Sequence, residues 1–195
     1  MKYIDSVVTC IESNPRDNLG PRWTGTNKES QFVKSFIESY NKQYSSMHSG
    51  SKKVNRIIAR EVPMNGFGIA DLVTVSWDSK ISIDQNNIDV KIFNPTVRAF
   101  EFKLSDWRKG LMQAHRYRFF SDAAILVIPE QKLDLVSNYI DTFTKINVGL
   151  WGFDTNKGTI TTIQTPRPRK PADIKYREIA VNQVLESTKL FLPTV

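Results

Sequence analysis

Ala123-Ala124-Ile125-Leu126-Val127-Ile128 is a wholly apolar run closed by Asp122 and Pro129. So short a run without a polar face reads as a strand packed on both sides, which requires a sheet with cover above and below. The rest of the chain supplies that cover. Tyr3, Ile4, Val7, Val8 and Ile11 predict a short helix over 2–12. Thr26 with Glu29 reads as a capping box for a longer helix to about Tyr44, with an apolar stripe of Phe32, Val33, Phe36, Ile37 and Tyr40. Strand periods follow over Val54–Val62 and Ile69–Trp77, joined by a turn with Pro63, Asn65 and Gly66. An extra hairpin over Lys80–Asp84 and Ile88–Phe93 precedes a strand at Val97–Lys103. Ser105 is the expected N-cap of a helix from Asp106 to about Phe120. Beyond the apolar run come a helix at Leu133–Phe143, strands at Val148–Phe153 and Gly158–Gln164, a proline-rich stretch Thr165–Pro171, and a helix from Asp173 to about Leu190. The expected class is α/β (α+β): a mixed central sheet with an antiparallel meander, flanked by helices, in one domain over 1–195.

With 195 residues, 40% hydrophobic and 24% charged, the chain can bury a real core. Its one cysteine, Cys10, excludes an internal disulfide framework, and His48 and His115 are too few for a histidine-built zinc site. Met1–Ile11 is broken by Asp5, Ser6 and Thr9, and no segment reaches the length of a membrane span, so a cytoplasmic setting is expected. A formal charge of +7 fits a polyanionic partner, although a lysine-rich surface explains it equally well.

Within this frame, Val97, Ala99, Glu101 and Lys103 fall on one strand face, with Glu101 and Lys103 roughly 7 Å apart. Alternation likewise assigns Ile69, Asp71, Val73 and Val75 to one face. Asp71 and Glu101 each interrupt an apolar strand, and a buried carboxylate needs a partner or a metal. Two such carboxylates with a backbone carbonyl suit a hard cation such as Mg²⁺, with Mn²⁺ as substitute, and Lys103 could stabilise charge on a phosphoryl group. The plainer reading of Glu101-x-Lys103 is an ordinary charge pair on an exposed strand.

On the next helix, Lys109, Gln113, Arg116 and Tyr117 span about 100° of arc, while Trp107, Leu111 and Ala114 form the apolar seam. His115 sits at the helix edge. Lys52, Lys53, Arg56 and Arg60, and later Arg167, Arg169 and Lys170, are candidate phosphate contacts, though such runs are usually solvated surface. No helix-turn-helix, zinc-finger or RNA-recognition signature accompanies them, so base reading is not expected.

Gly68-Ile69-Ala70-Asp71, Glu101-Phe102-Lys103 and Gln113-Ala114-His115-Arg116-Tyr117, in that order, resemble the PD-(D/E)xK nuclease superfamily and the glutamine-xxx-tyrosine motif of its RecB-like branch. The resemblance covers roughly 26–128 and leaves 146–191 as elaboration. It implies a restriction-endonuclease-like core and metal-dependent hydrolysis of DNA. Asp71, Glu101 and the Phe102 carbonyl would hold metal, Lys103 would contact phosphate or water, and Gln113 and Tyr117 would complete the site. A first-helix glutamate often joins the metal in such enzymes, and Glu29 is the better placed candidate beside its capping role. Ala70 stands where the family motif has proline, and the Asp71–Glu101 interval is stretched by the extra hairpin. A non-cutting module that binds nucleic acid or protein, an RNA-directed nuclease, and a homodimer stay open.

Overall fold

A computed structural model describes residues 10–13, 28–47, 54–78, 80–81 and 94–189. Seven strands join one mixed sheet in sequence order. They are β1 (Cys10–Ser13), β2 (Val54–Met64), β3 (Gly68–Asp78), β4 (Thr96–Phe102), β5 (Ala123–Pro129), β6 (Val148–Asp154) and β7 (Thr159–Gln164). β2, β3 and β4 form an antiparallel meander; β4, β5 and β6 are parallel, β7 returns antiparallel, and β1 adds parallel to β2. Helices are α1 (Lys28–Met47), α2 (Trp107–Tyr117), α3 (Leu133–Ser137), α4 (Ile140–Ile146) and α5 (Ile174–Lys189).

The apolar run behaves as its composition demands: every residue of β5 is buried. Ile125 and Val127 pack with α1, whose stripe of Phe32, Phe36 and Tyr40 meets Phe100, Phe102, Trp151 and Phe153 on one face of the sheet. Leu126 and Ile128 face the other way, onto α2, α3 and α4. α5 extends that second layer over β2 and β3 through Ala180, Val181, Val184 and Leu185.

Four local expectations change. Residues 10–12, expected in a helix, pair instead as β1, Cys10 opposite Arg56 and Ile11 opposite Ile57. A lone helix of that length is marginal, while the free backbone edge of β2 offers hydrogen bonds; residues 2–9 lie outside the described residues. Leu133–Phe143 is not one helix: a 3₁₀ turn at Glu130–Lys132 leads into α3, and Asn138 and Tyr139 separate α3 from α4. Ser137 and Asn138 are weak helix formers, which explains the break. Asp106, not Ser105, caps α2, its carboxylate accepting from the Lys109 amide at 3.1 Å; a negative charge at that end also meets the helix dipole.

The fourth change touches Asp71. Alternation is interrupted there: Ala70 joins Val73 and Val75 in the layer under α5, while Leu72 faces α1. Opposite it, Glu61 adopts φ 50°, and the ladder passes from Arg60–Leu72 to Val62–Ala70 without pairing Glu61 to Asp71. An irregularity of this kind re-aims the side chain beside it. Asp71 therefore does not share a face with Val73 and Val75. The Lys80–Phe93 hairpin lies outside the described residues except Lys80 and Ile81, whose amide closes a turn on the Asp78 carbonyl at 3.0 Å.

Candidate active site

β3 and β4 are in register at Leu72–Phe100, which brings Asp71 to the carboxyl end of β4. There the Phe102 amide donates to Asp71 Oδ2 at 2.8 Å. Glu101, only 1% exposed, lies on the β4 face shared by Val97 and Ala99, as alternation predicts. Its Oε1 accepts from Lys103 Nζ at 2.5 Å, and its Oε2 is bonded to the Tyr117 hydroxyl. That hydroxyl also lies 2.8 Å from the Ile69 carbonyl on β3. A phenol has one proton, so the Tyr117 hydroxyl shares its donation between Glu101 Oε2 and the Ile69 carbonyl.

Burial pushes the Asp71 carboxyl up to about 8, the Glu101 charge adds to the rise, and the Phe102 amide and Lys103 oppose it. Burial also raises Glu101, against the hydrogen bond and charge of Lys103. For Lys103 burial pulls downward, yet the bond and charge of Glu101, with Asp71 and Glu29 behind, hold it above the ordinary lysine value. Burial, then the charges of Glu101 and Asp71, push Tyr117 far up, so it acts as a neutral donor.

Glu29 sits exposed on the first turn of α1, yet its charge is felt by Asp71, Glu101 and Lys103. It is thus an outer member of the acid group; its expected cap, Thr26, lies outside the described residues. The α2 arc divides. Tyr117 is buried at the site and Gln113 is half-buried, its Oε1 without a hydrogen-bond partner among the described residues, whereas Lys109 and Arg116 are exposed. Trp107, Leu111 and Ala114 form the buried seam as expected, and His115 is half-buried at the helix edge.

Sequence reasoning passed over Gly110. A Cβ built there would lie 2.6 Å from Lys103 Cγ and 2.7 Å from Leu126 Cδ1, so α2 approaches the lysine stem closely only because this position has no side chain. Small size in the middle of an otherwise ordinary amphipathic helix was the available signal.

The other basic candidates do not converge here. Arg56 is 3% exposed with its guanidinium 5.2 Å from the Tyr40 ring centroid, so it is a buried packing residue and not a phosphate contact. Its place in a strand beside Ile57 and Ile58, under α1, accounts for this. Arg60 is half-buried on the same strand, and Lys52 and Lys53 lie outside the described residues. Arg167, Arg169 and Lys170 are exposed, but their loop is pinned at the other end of the sheet. Arg167 exchanges two bonds with Asn147, at 2.8 and 2.9 Å, and the Arg169 amide reaches the Asp122 carbonyl at 3.1 Å. Asp122 in turn bonds Val97, about 13 Å along β4 from Glu101 at the usual strand rise.

Among the described residues no three Asp, Glu, His or Cys side chains group to hold a metal ion. A cation here would therefore meet a pair, Asp71 and Glu101, with backbone oxygen. The donor set fits a hard divalent ion: oxygen ligands only, and two carboxyls whose ionised forms burial disfavours until positive charge compensates them.

No family model matches the chain, and no curated protein matches it. Among solved structures it is similar to the SPO1766 protein of unknown function from Silicibacter pomeroyi. That likeness has 11% identity and a TM-score of 0.51, covering 85% of this chain and 90% of that one. At that identity the likeness concerns the fold alone: an α+β arrangement with a mixed sheet flanked by helices.

The raised Asp71 carboxyl has a stability consequence. The unfolded carboxyl ionises near 3.8 while the folded one keeps its proton to about 8. The stabilising contribution is thus complete below the lower value and is lost as pH rises through the upper one. In metal-free buffer, Asp71→Asn is expected to melt roughly 5 °C above the parent at pH 8 and close to it at pH 4. Thermal melts across this range check it; a parallel pair of curves would show that the carboxyl ionises normally.

Proposed function

We propose that this protein is a Mg²⁺-dependent nuclease of restriction-endonuclease-like fold that hydrolyses DNA phosphodiester bonds. The observation that carries the reading is Asp71, held by the Phe102 amide at 2.8 Å, beside a buried Glu101 whose two oxygens meet Lys103 and Tyr117. Two desolvated acids and one lysine at a strand end are what hydrolysis of a phosphodiester needs, and the net charge of +7 suits the polyanion.

In this reading Asp71, Glu101 and the Phe102 carbonyl would hold the ion, which supplies Lewis acidity and a water acidic enough to attack at neutral pH. Tyr117 restricts Glu101 to one rotamer by bonding Oε2. Lys103, kept charged by Glu101, turns its ammonium to the phosphoryl oxygens as negative charge develops there. Gln113, whose buried amide oxygen has no partner among the described residues, can hold an internal water one turn from Tyr117.

Plasmid, linear duplex and single-stranded DNA incubated with Mg²⁺ or Mn²⁺ test this, with matched RNA alongside. Cleavage that disappears in Asp71→Ala is expected; intact substrates throughout, or equal cutting by the variant, would overturn it. A module that binds nucleic acid without cutting is the second reading, favoured by the fact that both Glu101 oxygens are already taken. Calorimetric titration with Mg²⁺ separates the two, since only the nuclease gives a binding signal that Glu101→Gln removes.

A further inference from the structure

The side of α2 turned away from the sheet carries a pattern that the hydrolytic site does not use. At 100° per residue, Arg108, Lys109, Met112 and Arg116 share an arc of about 100°, and Phe119 follows in the turn just past the helix end. All five are exposed, Met112 by 61% and Phe119 by 43%. From Trp107 to Phe120 the chain has no Asp or Glu, and the one acid at this element, the N-cap Asp106, has an oxygen engaged by the Lys109 amide. Aromatic stacks close both ends of the stripe. At one end the Arg108 guanidinium lies 4.5 Å from the Trp107 ring centroid and 5.3 Å from that of Tyr139, which is itself 40% exposed. At the other, Phe119 stacks on Phe67 at 5.1 Å and 25°, and Phe67 meets Tyr176 edge-on at 4.8 Å. Phe119 is therefore held with an outer face open to solvent, and Phe67 sits in the turn that opens β3, four residues before Asp71.

From this geometry we infer that the outward face of α2 docks single-stranded DNA. Cations spaced between rigid aromatic faces match a strand whose phosphates need positive charge and whose unpaired bases need surfaces to stack on. A duplex hides its base faces and would leave Phe119, Met112 and Tyr139 with nothing to cover them. From Arg108 to Arg116 the helix rises about 12 Å, room for a few nucleotides. The stripe borders Gln113, which lies one helical turn before Tyr117. The choice of DNA as occupant rests on the nuclease reading.

Fluorescence anisotropy with labelled sixteen-nucleotide oligo-thymidylate, the same length of duplex, and oligo-uridylate, all in EDTA, tests the inference without any cutting. The thymidylate strand is expected to bind most tightly, and Phe119→Ala to weaken it about tenfold. Lys109→Ala and Arg116→Ala should each flatten the dependence of log affinity on log salt by about 0.7. Circular dichroism melts confirm that each variant folds. Unchanged affinity for Phe119→Ala, unchanged salt slopes, or equal binding of duplex would overturn the proposal, and tighter binding of oligo-uridylate would overturn DNA as the occupant. Strand binding that depends on Phe119 in a protein that never cuts would retire the nuclease reading and leave this one standing. Duplex cleavage with indifferent Phe119→Ala would do the reverse.

Discussion

Lys103→Met is expected to lower DNA cleavage by about 10²- to 10³-fold and, separately, to destabilise the protein. The first effect follows from removing the only side-chain cation bonded to the acids at the end of β4 among the described residues. The second follows from what remains: Glu101 is 1% exposed and would keep only Tyr117 as a partner. Stranding a fully buried charge costs about 3–5 kcal/mol. Here the cost should be nearer 2 kcal/mol, because Glu101 can take up a proton, and the expected loss in Tm is roughly 5 °C. The sign with pH is definite. Glu101 already titrates above its ordinary value, so its stabilising contribution is lost as pH rises. Without Lys103 that folded value climbs further, and the deficit should be small at pH 5 and largest at pH 8. The double variant Lys103→Met/Glu101→Gln removes the stranded charge, so it should regain the lost Tm while staying inactive. Cleavage that survives Lys103→Met would take the lysine out of the chemistry. A double variant as unstable as the single one would show that the loss came from packing of the lysine stem.

What could be read from the chain was what local pattern encodes. The apolar β5 run, the stripe of α1 and the alternation of β4 each report burial directly, and the structure reproduces them. What escaped depends on residues distant in sequence. β1 exists because β2 has a free edge, which no periodicity over residues 2–12 reveals. The Glu61 irregularity takes Asp71 off the face of Val73 and Val75, and a local break in strand pairing leaves no trace in composition. Helix angle groups Tyr117 with Lys109, Gln113 and Arg116, and only the resemblance assigns it to the site. A long side chain at a helix end reaches back toward the amino terminus, which carries its hydroxyl inward to Glu101 while its neighbours stay in solvent. The basic loop at Arg167–Lys170 and the acids are both legible as motifs, yet only the sheet shows that they occupy opposite ends of β4.

Gly110→Ala is expected to cut activity by about 10²-fold through a side chain that touches no substrate. The added methyl would meet Lys103 Cγ at 2.6 Å and Leu126 Cδ1 at 2.7 Å, both closer than packing allows. Leu126 is fully buried between α2 and β5 and has little room to give. Lys103 is the softer neighbour, so the lysine stem must move or α2 must lift. Either response displaces the ammonium now 2.5 Å from Glu101, and a misplacement of about 1 Å can cost this much in rate. Overpacking should also destabilise the fold by about 1–3 kcal/mol, partly offset by the better helix propensity of alanine. A compensating change separates the two effects: Gly110→Ala/Leu126→Val relieves the contact with β5 and should recover much of the Tm. It leaves the clash with Lys103 in place, so activity should stay low. Recovery of activity along with stability would mean that the lysine had never been displaced and that the glycine serves packing alone.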